Sequence, residues 1–169
     1  MTRLATVLGT LILLVSPVGA GEQSPTPLSP EEALEEFGTV VEDDNLTLAV
    51  IHLNDRSVES LFSAPSKYSL RVQAKQATMF FVQGTNDGSR TVRPGLEWQI
   101  RQEDNLISSR VVSISNFEEN SEVAGGDQYS GLVVADGLVD PRSAFTVENG
   151  SYHFDFDFSA SQADMIDPR

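Results

Sequence analysis

From Val40 onward, apolar residues recur at every second position or in short continuous runs. A period of two is typical of β-strands, because successive side chains of a strand point to opposite faces. Residues 46–53 and 78–83 are almost continuously apolar, which indicates strands buried on both faces. The same reasoning predicts six further strands, at residues 67–75, 96–101, 111–115, 132–135, 144–147 and 152–158.

Turn-forming residues separate these strands at short intervals. The strongest hairpin signal is Asn149-Gly150, which lies between two predicted strands and suits a type I′ turn. Asn86-Asp87-Gly88 and Asp136-Gly137 predict further turns. Eight or nine short strands separated by such turns predict an all-β fold over residues 39–158. The expected fold is an antiparallel β-sandwich of the jelly-roll or Ig-like type.

Residues 1–20 have the three parts of a secretory signal peptide. Arg3 gives a positive start, residues 4–15 are largely apolar, and Val18-Gly19-Ala20 form a small-residue cleavage site. The apolar stretch is shorter than the ~20 residues that a membrane-spanning helix needs. The sequence therefore predicts a mature protein that begins near Gly21, is periplasmic or secreted, and has no membrane span.

Residues 21–38 are predicted to form a proline-rich linker followed by a short acidic helix. Prolines 25, 27 and 30 favour an extended linker, and Pro30 also suits the first position of a helix. Ser29 is a suitable N-cap, because Glu32 completes a Ser-x-x-Glu capping box with it. At the other end of the chain, residues 159–169 are predicted to be a flexible C-terminal tail.

The amino-acid composition excludes some kinds of chemistry and argues against some kinds of binding partner. The chain has no cysteine, which excludes disulfides and thiol catalysis and, in an exported protein, favours a bacterial source. Its 11 basic and 25 acidic residues give a net charge of −14, which argues against nucleic acid as a partner. Residues 60–117 nevertheless hold seven basic and four acidic side chains. This bias indicates either complementarity between neighbouring strands or a basic face for an anionic ligand.

The predicted strand at residues 152–158 raises a metal-site hypothesis. Its aromatic residues fall on one face, whereas His153 and Asp155 fall on the other. A His-x-Asp pair can supply two ligands of a 2-His-1-carboxylate site, and His52 is the second histidine of the chain. His52, His153 and Asp155 are therefore candidate ligands, provided that their strands are neighbours. The alternative, which we favour, is a core strand with a solvated polar face.

Calcium is a second candidate cofactor, because acidic clusters occupy the predicted loops at residues 42–45, 54–55 and 118–120. Calcium prefers carboxylate and amide oxygens as ligands. None of the clusters has the spacing of a twelve-residue EF-hand loop. Solvated acidic loops are therefore the simpler interpretation, and the primary expectation is that there is no cofactor.

The sequence lacks the motifs of nucleophilic catalysis and phosphate binding: it has no G-x-S-x-G, no G-x-x-x-x-G-K-[ST] and no G-x-G-x-x-G. We therefore predict an exported, non-enzymatic binding or assembly module of the bacterial cell envelope or extracellular space, with a protein or glycan partner. The alternative is a small metal-dependent or carbohydrate-acting enzyme on the same fold. The two predictions differ in whether His52 approaches His153.

Overall fold

The structure, a computed structural model, describes residues 27–42 and 45–167. The predicted signal peptide at residues 1–20 and residues 21–26 of the predicted linker lie outside these ranges. The described helices are α1 (Pro30–Phe37), α2 (Asp55–Leu61), α3 (Ser66–Ala74) and α4 (Ala160–Ile166). The described strands are β1 (Gly38–Glu42), β2 (Leu46–His52), β3 (Met79–Asn86), β4 (Trp98–Gln102), β5 (Asn105–Ile107), β6 (Ser109–Ser115), β7 (Gln128–Ala135), β8 (Phe145–Asn149) and β9 (Tyr152–Phe156).

The strands form two antiparallel sheets. One has five strands in the order β1-β2-β3-β7-β6, and the other has four in the order β5-β4-β8-β9. The prediction of a mainly β protein is confirmed, with the four helices as an addition to it. The predicted hairpin is confirmed as well: β8 pairs with β9 from Asn149 opposite Tyr152, and Gly150 has a φ of 57°.

Two apolar cores lie on opposite faces of the five-stranded sheet. Leu48 and Val50 of β2 belong to the core shared with the four-stranded sheet, whereas Ala49 and Ile51 belong to a core shared with the helices. All seven residues of β2 are therefore buried. This confirms that the continuous apolar run at residues 46–53 forms a strand covered on both faces. None of the described helices is long and apolar enough to cross a membrane.

The predicted strand at residues 67–75 is wrong, because this segment forms α3. Leu70 is the buried residue of the helix, whereas the side chains of Tyr68 and Val72 are 80% and 43% exposed. The alternation of apolar and polar residues suggested a strand, but lysine, leucine, arginine, glutamine and alanine all favour helices. Leu70, together with the partly buried Ala74, then anchors the segment in the core between the helices and the sheet.

Helix α2 was missed in the sequence, where residues 54–55 were assigned to an acidic loop. The Oδ1 atom of Asn54 accepts hydrogen bonds from the backbone N–H groups of Arg56 and Ser57, at 2.9 and 3.1 Å. The Ser57 hydroxyl in turn accepts the Asn54 N–H at 2.9 Å. Asn-x-x-Ser thus acts as a capping box, although it lacks the usual Glu or Gln at the third helical position. Val58 and Leu61 turn inward from this helix.

Both ends of the described chain are held by capped helices. At α1, the Ser29 hydroxyl accepts the Glu32 N–H at 3.1 Å, and the Glu32 carboxylate accepts the Ser29 N–H at 2.7 Å. Residues 160–166, expected to lie in a flexible tail, instead form α4. The cap is Ser159 with Gln162, another pair whose Ser-x-x-Gln spacing signals a helix start. Gln162 also donates to the backbone carbonyl of Glu36, at 2.5 Å, which ties α4 to α1.

Candidate functional site

The three predicted metal ligands lie in two different environments. His153 and Asp155 project from the exposed face of β9, where Asp155 accepts a hydrogen bond from the Thr146 hydroxyl at 2.7 Å. The Nδ1 atom of His153 is 3.8 Å from a carboxylate oxygen of Glu148. His52 ends β2 and is 4% exposed. Within residues 27–42 and 45–167, no three histidine, aspartate or glutamate side chains are grouped as metal ligands.

Two described residues of the acidic clusters, Asn54 and Glu118, have identified roles in local structure. Asn54 caps α2, as described above. Glu118 accepts a hydrogen bond from the Ser121 hydroxyl, and this bond is the main reason why the pKa of the Glu118 carboxyl is lowered. Residues 43–44 of the first cluster lie outside the described residues. Among the described residues, these clusters do not form a group of ligands that could hold calcium.

A cavity of about 340 Å³ opens where β2 ends and α2 begins. Its other walls are the end of α3, the loop that follows β7, and α4 with the residue after it. The polar and charged lining consists of His52, Asn54, Asp55, Arg71, Lys75, Thr78 and Asp167. The apolar lining consists of Leu53, Ala74, Leu138, Val139, Pro141, Met165 and Ile166. The lining is thus divided equally between apolar residues and polar or charged ones, so the cavity offers both an apolar wall and several hydrogen-bonding groups.

The loop over the cavity is fixed by the buried Thr78. Its hydroxyl oxygen accepts the backbone N–H of Val139 at 2.8 Å, and its own N–H donates to the carbonyl of Gly137 at 2.9 Å. Gly137 has a φ of 140°, a conformation that favours glycine. These bonds place Val139 and its neighbours against the cavity.

Asn54 supplies a donor whose orientation the fold determines. Because its Oδ1 atom caps α2, its Nδ2 atom must point away from the helix start. Nδ2 is buried and has no hydrogen-bond partner. A buried, unpaired donor of this kind costs roughly 1–3 kcal/mol. The side chain thus caps the helix through Oδ1, whereas Nδ2 has no hydrogen-bond partner.

His52 lies beside Asn54 in an aromatic environment. Its ring packs edge-on against Phe80 and Phe158, with centroid distances of 5.4 and 5.5 Å. Burial lowers the pKa of His52 to about 4, so the ring is neutral at pH 7. Its Nδ1 atom has no hydrogen-bond partner, and its backbone carbonyl accepts the Ser57 hydroxyl at 2.9 Å.

Two cationic side chains reach the cavity from α3 and its end. One Nη atom of Arg71 lies 2.5 Å from the Glu59 carboxylate. The Nε atom of Arg71 is buried, has no hydrogen-bond partner, and lies 4.0 Å from Asp55 Oδ1. Lys75 directly follows α3 and is exposed, and its ammonium group makes no ion pair with any residue that the structure describes.

The unpartnered buried atoms concentrate in this one place. Over residues 27–42 and 45–167, four buried side-chain nitrogen or oxygen atoms lack a hydrogen-bond partner: His52 Nδ1, Asn54 Nδ2, Ser60 Oγ and Arg71 Nε. Three of the four belong to residues that line the cavity. Buried polar groups are nearly always satisfied in folded proteins, so this concentration makes the cavity the candidate site.

A second cavity, of about 390 Å³, lies beside the turn between β8 and β9. Glu97 lines it with a φ of 60°, and Asn149 donates to the carbonyl of Leu96 at 2.5 Å. Tyr129 also contributes to the lining, and burial raises the pKa of its hydroxyl. None of the four unpartnered buried atoms belongs to its lining, so the described residues leave it without the feature that distinguishes the first cavity.

Sequence reasoning identified only part of this site. His52 was singled out, but for a metal site with partners that lie elsewhere. Asn54 was assigned to an acidic loop, and Arg71 and Lys75 belonged to the predicted strand at residues 67–75. The sequence feature that could have revealed part of the site is the Asn-x-x-Ser capping box at residues 54–57. It predicts the start of α2, and it implies that the Asn54 side chain is oriented by the cap.

Comparison with known proteins gives no family. No family model matches the chain, and no curated protein matches it. Among solved structures, the chain is similar to a functionally unknown protein from Listeria monocytogenes EGD-e, with 9% identity and a TM-score of 0.41. The similarity covers 73% of this chain and 84% of that chain.

Proposed function

We propose that the protein is an exported, non-enzymatic binding module of the bacterial cell envelope or extracellular space, and that it holds its ligand in the cavity lined by His52, Asn54 and Arg71. The observation that carries this proposal is the concentration of unpartnered buried atoms in these three residues. A ligand that hydrogen-bonds to them would offset desolvation penalties that the folded protein already bears. Bound ligand would thereby stabilise the fold.

The architecture suits such a role. In this proposal the two sheets form a β-sandwich, of the jelly-roll or Ig-like class, that acts as a rigid scaffold. The cavity lies at the end of β2, where a loop and three helices meet the scaffold. Binding residues are commonly placed on such connecting segments, because a rigid framework holds them in position.

The location proposed, periplasmic or secreted, rests on the signal-like residues 1–20. Intact-mass analysis of the protein recovered from the medium or the periplasm tests it. We expect a mature chain that begins at Gly21 or within two residues of it. Recovery of the full chain from the cytoplasm, with residues 1–20 retained, would contradict export.

The binding role is tested by filling the cavity. Ala74 lines it and is partly buried, so Ala74→Phe places a ring where a ligand would lie. Val72 lies two residues away on the same helix, is 43% exposed and is not part of the lining, so Val72→Phe is the matched control. The measurement is the thermal shift of each protein with a library of small polar and amphipathic compounds.

We expect compounds that raise the melting temperature of the wild-type protein and of Val72→Phe but not of Ala74→Phe. Chemical-shift changes at His52 and Asn54 on addition of the same compounds would locate them. Compounds that stabilise Ala74→Phe equally well would show that binding occurs elsewhere and would overturn the proposal.

A further inference from the structure

The chemistry of the cavity also specifies the class of ligand, an inference that rests on the proposed function. We infer that the ligand is a small carboxylate with an apolar body, whose carboxylate group accepts hydrogen bonds from Asn54 Nδ2 and Arg71 Nε and lies near the ammonium group of Lys75. A free carboxylic acid and the C-terminal carboxylate of a peptide share this chemistry.

The unpartnered groups of the lining are mainly donors. Asn54 Nδ2 and an arginine Nε can donate hydrogen bonds and cannot accept them, and the same holds for the lysine ammonium. None of these three groups has a hydrogen-bond partner in the described part of the chain. All three therefore need an acceptor as partner. The guanidinium group of Arg71 is already paired with Glu59 through one Nη atom and lies 4.0 Å from Asp55, so Lys75 is the cation of this set that has no ion pair among the described residues. An anionic oxygen forms the stronger, charge-assisted bonds with them.

The acidic side chains of the lining already face cations. Asp55 lies 4.0 Å from Arg71 Nε, and Asp167 lies 3.5 Å from a guanidinium nitrogen of Arg142. A cationic ligand would have to compete with those arginines for the two carboxylates. Lys75 has no such partner among the described residues, so an anion meets a cation that is not yet paired.

The apolar part of the lining determines what the rest of the ligand should be. Leu53, Val139 and Ile166 are among the apolar residues that line the cavity, and Leu53 and Val139 are buried. Burial of a ligand's methylene groups against such a wall is favourable. A volume of about 340 Å³ is at the lower end of the range for small-molecule sites. The space therefore suits a short aliphatic or aromatic acid, or one terminal residue of a peptide.

The test compares acids with their amides. The probes are hexanoate, 4-methylpentanoate and 3-phenylpropanoate, each with the corresponding neutral amide, and calorimetry measures the affinity of each. Gly-Gly-Leu with a free and with an amidated C-terminus distinguishes a peptide end from a free acid as the source of the carboxylate. We expect at least one acid to bind about tenfold more tightly than its amide, a ratio that corresponds to about 1.4 kcal/mol.

Two variants and one control assign that preference to the cavity. Arg71→Gln removes the guanidinium group, and Asn54→Asp keeps an oxygen that can cap α2 but replaces the donor with a repelling carboxylate. Arg90→Gln removes the same charge beyond the far end of β3, an eight-residue strand that spans roughly 25 Å from the cavity end. We expect both site variants to lose the preference for acids and Arg90→Gln to retain it.

The outcomes separate this inference from the proposed function. Amides that bind as tightly as acids, or a preference that survives in Arg71→Gln and Asn54→Asp, would overturn the carboxylate assignment. Binding in the cavity of compounds that lack a carboxylate, with no binding by any acid probe, would do the same and leave the binding role intact. Acid binding that Ala74→Phe does not reduce would overturn both.

Discussion

The ring of His52 packs edge-on against the ring of Phe158, with centroids 5.5 Å apart and planes at 83°. His52 ends a strand of the five-stranded sheet, and Phe158 follows the last strand of the four-stranded sheet. Phe158 also packs against both apolar cores. The contact therefore joins the two sheets beside the cavity, and burial favours the uncharged imidazole there because a charged ring would lose its hydration.

This relationship predicts a pH dependence of stability. The pKa of His52 is lowered from 6.5 to about 4 in the folded protein, so between these values the unfolded chain binds a proton that the folded chain does not. The contribution of neutral His52 is fully present above pH 6.5 and is lost as the pH falls towards about 4. The shift corresponds to about 3 kcal/mol in the free energy of unfolding.

Urea denaturation between pH 4 and 7 measures this loss. His52→Leu should flatten the curve relative to the wild-type protein, because the variant has no proton to exchange at this position. Carboxylates that titrate in the same range affect both proteins alike, so the difference between the two curves isolates His52. His153→Gln is the control, since its side chain is 59% exposed, and it should keep the wild-type slope. Parallel curves for wild-type protein and His52→Leu would refute the prediction.

Seven of the nine described strands could be predicted from sequence because their signal is local, whereas β1 and the three-residue β5 were not predicted. Strands β2 and β3 are buried on both faces and therefore read as continuous apolar runs. Strand β9 is buried on one face, so its aromatic residues occupy every second position. Helix α3 could not be predicted, because nine residues with an alternating pattern fit both a strand and a helix. The packing of Leu70 and Ala74 against the core decides between the two.

The candidate site was harder to predict for a different reason. Its lining comes from four segments, at residues 52–55, 71–78, 138–141 and 165–167. No spacing along the chain links Asn54 to Arg71 or either of them to Val139. Only the folded arrangement brings them together, and only a hydrogen-bond count reveals which of their atoms lack partners.

If residues 66–74 form a helix, Leu70 and Tyr68 should contribute very differently to stability. A strand would place Tyr68, Leu70 and Val72 on one face, whereas the helix buries Leu70 and leaves the other two exposed. Leu70→Ala should therefore lower the free energy of unfolding by about 2–5 kcal/mol. Tyr68→Ala should change it by no more than about 0.5 kcal/mol, because exposed substitutions are nearly neutral. Equal losses at the two positions, measured by urea denaturation, would favour the strand.

Gly131 in β7 is predicted to tolerate no side chain. A Cβ atom at this position would lie 2.0 Å from the ring of Phe117 and 2.8 Å from the carbonyl oxygen of Val112. Phe117 is fully buried, so it cannot yield without disturbing the core between the sheets. Gly131→Ala should therefore cost about 1–3 kcal/mol through overpacking. Ser130→Ala at the preceding position is the matched control, and a loss there as large as at Gly131 would contradict the steric explanation.

The two faces of β9 should differ in what they contribute to stability. Phe154 and Phe156 are buried in the core between the sheets, whereas His153 and Asp155 face solvent. Phe154→Ala and Phe156→Ala should each cost about 3–5 kcal/mol, because burial is lost and a cavity remains. His153→Ala and Asp155→Ala remove exposed contacts and should change the free energy of unfolding by no more than about 0.5 kcal/mol.

The same four variants test the metal hypothesis. A bound metal ion adds its binding free energy to the fold, so a chelator and the loss of a ligand would destabilise the protein to the same extent. We expect EDTA to leave the urea midpoint of the wild-type protein unchanged, and to leave that of His153→Ala unchanged as well. A chelator effect that disappears in His153→Ala, together with stoichiometric metal in the purified protein, would instead make His153 a ligand. The losses at Phe154 and Phe156 would be the same in either case, because the aromatic face depends only on the contact between the two sheets.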